Sequence, residues 1–95
     1  MRRAARRDDN EREIIHALVA AGCLVQSLSQ GSGVPDLLVG VPSGRLVLVE
    51  VKDGRKIPSA RRLTDDEIAW HSKWAQFPVF VVSTVDEALK VSRWH

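Results

Sequence analysis

Pro35-Asp-Leu-Leu-Val-Gly-Val41 and Arg45-Leu-Val-Leu-Val-Glu-Val-Lys52, joined by Pro42-Ser-Gly44, are the stretch that decides the fold. Both arms are rich in strand-forming aliphatic residues, and the three residues between them break a strand, so the stretch reads as a hairpin. A three-residue turn at 42–44 makes Val41 face Arg45, and pairing outward from there sets Asp36 directly opposite Glu50. Directly opposed side chains have Cβ atoms about 4.5–5.5 Å apart. Strand alternation puts Lys52 on the same face as Glu50. Two carboxylates and an ammonium are therefore expected at one end of the hairpin. A slip of one residue would send Asp36 to the other face, so the arrangement depends on that turn.

The surroundings make such a cluster costly. Leu46, Val47, Leu48, Val49 and Val51 suggest a strand covered on both faces. Adjacent buried carboxylates repel and lose hydration unless a cation compensates. Lys52 supplies one positive charge and a divalent ion could supply the rest. Oxygen ligands without Cys or His favour Mg²⁺ or Mn²⁺ over zinc. A bare Glu-x-Lys on a strand reads most simply as a solvent-exposed ion pair. Pro35-Asp36 at a matching register, within such apolar runs, favours a catalytic centre instead.

Outward from the hairpin, Asn10 to Ala21 carries Ile14, Ile15, Leu18 and Ala21 on one stripe, with Asp8, Asp9 or Asn10 to cap its start and Gly22 to end it, which predicts a helix. Cys23 to Ser29 predicts a strand, and Gln30 to Pro35 a loop. Thr64 and Glu67 form a capping box for a helix reaching about Ala75, and Thr84 and Glu87 a second box for a helix from Val85 to about Val91. Pro78 to Val82 is a short apolar strand between them. The order α-β-β-β-α-β-α predicts an α/β fold, a mixed sheet flanked by helices.

With 95 residues the chain has the size of one domain, 1–95, in which residues 1–8 are expected to be a flexible basic arm. Its 44% hydrophobic and 27% charged residues are ordinary for a globular protein. No apolar run approaches the ~20 residues of a membrane span, and no signal-peptide core follows the arginine-rich start. Cys23 is the only cysteine, which excludes an internal disulfide and fits a reducing cytoplasm. The net charge of +2 is unevenly spread. Arg2, Arg3, Arg6 and Arg7 form one patch, and Lys52, Arg55, Lys56, Arg61 and Arg62 another, which permits a phosphate-rich partner.

Gly33-Val-Pro-Asp-Leu-Leu-Val-Gly40, followed by Leu48-Val-Glu-Val-Lys52, resembles the PD-(D/E)xK nuclease motif, and more closely the stand-alone VRR-NUC (virus-type replication-repair nuclease) proteins of phages and bacteria. The likeness extends to Lys52-Asp-Gly54, to Leu63-Thr-Asp-Asp-Glu67 and to the tail from Val79 to Leu89. It implies a restriction-endonuclease-like fold and a Mg²⁺- or Mn²⁺-dependent endodeoxyribonuclease of a phage or bacterial cell, acting in DNA repair. Asp36 and Glu50 match its metal ligands, with the carbonyl of Val51 joining them, and Lys52 matches the residue that orients or activates the attacking water. The family also uses an acid from the first helix. Glu11 lies in register with Ile14, Ile15 and Leu18 and is preferred to Glu13, which points the opposite way. Relatives often carry Gln where Glu67 stands, so the resemblance assigns Glu67 no role.

Arg55, Lys56, Arg61 and Arg62 follow Lys52 closely and are expected to grip DNA phosphates without reading sequence. On the second helix, Ile68, His71 and Ala75 form one stripe and Trp70 and Trp74 another, so one is expected on the sheet and the other outward, as a dimer interface or stacking surface. His16, His71 and His95 lack metal-like spacing and read as structural or solvent-exposed. The resemblance includes homodimeric Holliday-junction resolvases, which implies branched DNA as substrate and a homodimer, with no membrane and no organic cofactor. The rival expectations are a nicking or end-processing nuclease without junction preference, and a non-catalytic DNA-binding module on the same fold.

Overall fold

A computed structural model describes residues 9–28 and 31–95, so the arginines of the expected basic arm lie outside the described residues. The elements are α1 (Glu11–Ala20), β1 (Leu24–Ser27), β2 (Leu37–Gly40), β3 (Leu46–Val51), α2 (Asp65–Lys73), β4 (Val79–Val82) and α3 (Val85–Ser92). The order is the expected one; a 3-10 turn at Pro58–Ala60 is additional. They form an α/β domain with one four-stranded mixed sheet, ordered β1-β2-β3-β4. β2 pairs antiparallel with both β1 and β3, and β4 returns parallel to β3 through α2.

The core lies on one face of the sheet. Leu37 and Val39 of β2, with Val47, Val49 and Val51 of β3, are buried there against Ile14 and Leu18 of α1 and Ala88 and Val91 of α3. α1 ends as its sequence predicts. Gly22 takes a φ of 96°, and the amides of Gly22 and Cys23 donate to the carbonyls of Val19 and Leu18. This is the Schellman arrangement, in which glycine occupies the left-handed position without a Cβ penalty.

The opposite face departs from expectation. β3 is covered on both sides only at its end, where Val49, Glu50 and Val51 are all buried: at its start Leu46 is 66% exposed and Leu48 is half-buried. The reason is that α1 and α3 pack together over one face, while α2 buries no residue. Neither stripe of α2 is sealed against the sheet, since Ile68 and Trp74 are exposed and Trp70 and His71 half-buried. Trp70 instead stacks on Trp74, with ring centroids 5.0 Å apart, and Trp74 meets Phe77.

Two caps also differ from expectation. Asn10 stands at the N-cap of α1, but its side chain makes no capping bond. It turns inward and donates from Nδ2 to the carbonyls of Lys52 and Ser83, both at 3.0 Å, which ties the start of α1 to the chain just beyond β3 and β4. Thr64 and Glu67 form the full reciprocal box on α2. At α3, Thr84 Oγ1 accepts from the Glu87 amide, but Glu87 returns to Ser83 N rather than to Thr84, so that box is only half formed.

Candidate functional site

The hairpin register carries the site. Leu37 pairs with Val49 and Gly40 with Leu46, and the Val41 amide donates to the Arg45 carbonyl at 2.9 Å. Carried one step outward, this register sets Asp36 across from Glu50 on the face away from the α1–α3 core. Asp36 is held from both neighbouring strands. Its carbonyl accepts from the Leu28 amide at 2.7 Å, and its Oδ2 accepts from the Val51 amide at 2.7 Å. Val51 thus enters the site through its N–H.

Glu50 is buried, at 3% exposure. Desolvation is the main reason that its carboxyl titrates well above the ordinary range, and the charges of Asp36 and Glu67, with hydrogen bonds to both, push it the same way. Lys52 Nζ lies 4.0 Å from Glu50 Oε2 but only 2.8 Å from Glu67 Oε1, so its closer ion pair is with α2. For Glu67, burial would raise the pKa, but hydrogen bonds from Lys52 and from the Thr64 amide outweigh it and hold the group below its ordinary value.

Sequence reasoning missed two of these neighbours. Glu67 was legible as half of a capping box but not as a member of this cluster. His71, one turn further along α2, is kept below the usual histidine range mainly by burial, with Glu67 acting against that and Lys52 with it. Its Nε2 is buried without a hydrogen-bond partner. The only signal for either was the i, i+4 spacing on one helix face.

Among the first-helix acids, Glu11 is 7% exposed beside the buried Ile14 and Leu18, whereas Glu13 is exposed. Of the four loop cations, Arg55 turns away from the cluster. Its Nε and Nη2 each donate at 3.0 Å to the buried Asp53, whose carboxyl is held down to about 2 chiefly by that side-chain contact. The charges of Glu13 and Asp9 also act on Arg55, in the same direction as Asp53. Lys56 and Arg62 are exposed, and Arg61 is half-buried.

Among the described residues, no three or more His, Cys, Asp or Glu side chains are grouped so as to hold a metal ion. The donor set nevertheless suits a hard cation. Glu50 Oε1 is buried with no hydrogen-bond partner, beside a second carboxylate that repels it. Such an oxygen costs free energy unless a donor or cation reaches it.

The four-stranded mixed sheet with its parallel β3–β4 pair and three helices make a small α/β domain consistent with a VRR-NUC nuclease fold. The chain is similar to a solved structure described as a "VRR_NUC domain", at 28% identity and a TM-score of 0.64, over 93% of this chain and 100% of that one. No family sequence model and no curated protein matches it. Among the described residues no helix is long and apolar enough to cross a membrane.

Proposed function

We propose that this nuclease domain is a Mg²⁺- or Mn²⁺-dependent endonuclease that hydrolyses phosphodiester bonds in branched DNA, such as Holliday junctions. The observation that carries the reading is the buried Glu50 opposite Asp36, with the Lys52 ammonium on the same face. A bare binding module has no need of two repelling acids at such a depth.

Asp36, Glu50 and the Val51 carbonyl would hold the ion, whereas Glu11 sits on α1 beside the core residues Ile14 and Leu18. When bound, the ion supplies polarisation of the phosphate and a lower pKa for the attacking water. Asp36 is oriented for this by the Leu28 and Val51 amides, which restrain its backbone and one carboxylate oxygen. Lys52 places a positive charge where negative charge develops on the phosphoryl oxygens as water attacks and the sugar oxygen leaves. Lys56, Arg61 and Arg62 would hold flanking phosphates, a contact that weakens steeply with salt. Arg55 contributes less, since Asp53 already engages its guanidinium.

Symmetric resolution of a junction needs two opposed cuts, and one chain offers one centre, so the active form is a twofold dimer. The unburied α2, with Trp74 38% and Phe77 49% exposed, supports a second copy as what covers that face. The test is cleavage of four-way junctions and of linear duplex with Mg²⁺ or Mn²⁺, by the wild type and by Lys52→Ala. The reading expects preferential junction cutting that falls about 10²–10³-fold in the variant. Equal cutting of both substrates would remove the junction preference, and unchanged activity in Lys52→Ala would remove the mechanism.

A further inference from the structure

The capping box of α2 does more than start a helix. Glu67 Oε1 accepts from the Thr64 amide at 2.8 Å, which closes the box, and the same oxygen accepts from Lys52 Nζ at 2.8 Å. Thr64 Oγ1 in turn accepts from the Glu67 amide at 3.2 Å, which fixes the first turn from its other side. Both partners of the ion pair are largely shielded, the Lys52 side chain at 11% and that of Glu67 at 15% exposure. Lys52 ends a flexible four-carbon stem just beyond β3, and a lysine tip is a compact charge that needs an external acceptor to fix it. Glu50 is too far for that, at 4.0 Å.

We infer that Glu67 is the positioning residue for Lys52: the helix cap of α2 sets the ammonium beside Asp36 and Glu50. This rests on the reading of Lys52 as the group that stabilises charge at the phosphate. The requirement is an acceptor oxygen at the third helical position, not a negative charge, and a glutamine there closes a capping box equally well. Glu67→Gln therefore keeps the device. Glu67→Leu keeps the bulk and the helix propensity but removes the acceptor.

Reductive methylation followed by peptide mass spectrometry reads the position of Lys52 without any reaction on DNA. Lys52 should react slowly in the wild type and in Glu67→Gln, and several-fold faster in Glu67→Leu. Thr64→Ala loses the Oγ1 cap but retains the Glu67 carboxylate, so it should melt lower while Lys52 stays protected. In single-turnover cleavage at saturating DNA, Glu67→Leu should be about 10- to 100-fold slower, with DNA affinity unchanged and Glu67→Gln near the wild type. Equal labelling of Lys52 in the wild type and Glu67→Leu would overturn the inference, as would Thr64→Ala exposing Lys52 to the same degree. Undiminished cleavage by Glu67→Leu would overturn it too. A wild type that cuts no DNA counts against the nuclease reading, and the labelling then decides this inference by itself.

Discussion

Glu50 is the residue at which stability and activity pull apart. Its carboxyl is buried, faces Asp36 and leaves one oxygen without a partner, so in the metal-free protein the ionised form is strongly disfavoured. Replacing it by a neutral isostere should relieve that cost. Glu50→Gln is expected to raise metal-free stability at pH 8 by roughly 1–2 kcal/mol in denaturant titration, while abolishing metal-dependent cleavage, a trade-off common at strained functional positions. A destabilised Glu50→Gln would show that the carboxylate is held by structural contacts instead. The Asp36–Glu50 pairing was legible in the sequence because a three-residue turn leaves no freedom in the register, and Leu37↔Val49 is the pairing it demands. The fate of Arg55 was not legible. A cation two residues after an acid gives no sign that the acid will be buried and claim it.

At the scale of elements, the contact between the loop before β2 and the start of α2 places Glu67. Gly33 has a φ of 79°, and a Cβ there would overlap the carbonyl of Asp66. Gly33→Ala meets both the left-handed backbone penalty of about 1–2 kcal/mol and that overlap. It should lower the melting temperature and slow cleavage together, as α2 is pushed away from Lys52. A variant that melts lower but cleaves normally would separate α2 from the site. The helices and strands were readable from periodicity, glycine and capping residues. Which face α2 would cover was not, because it carries two apolar stripes of similar strength and its distance from the sheet depends on long-range packing. Hence the sequence predicted one sealed stripe, and the fold has none.

For the whole molecule, charge and assembly give three expectations. Glu50 binds its proton more tightly in the folded, metal-free state than its ordinary value of 4.5, so its contribution to stability is fully present below that pH. That contribution is lost as pH rises above 4.5, and metal-free melting temperatures should decline across the neutral and alkaline range. Ion binding requires the deprotonated pair, so apparent Mn²⁺ affinity should rise with pH and protons should be released on binding. Calorimetry in buffers of different ionisation enthalpy measures that release, and a pH-independent affinity would contradict the assignment of Glu50 as a ligand. Light scattering tests the assembly. The wild type should be a dimer, and a charge on the open aromatic face, Trp74→Glu, should give monomers that retain the fold. A dimer undisturbed by Trp74→Glu would place the interface elsewhere.

The most direct test of the central claim is anomalous diffraction from crystals soaked in Mn²⁺. The account predicts a peak between Asp36 and Glu50, with carboxylate oxygens roughly 2.0–2.2 Å from it as for small divalent ions, and Glu50 Oε1 turned toward it. No peak at that position, with Asp36 and Glu50 still hydrogen-bonded to each other at saturating Mn²⁺, would contradict it.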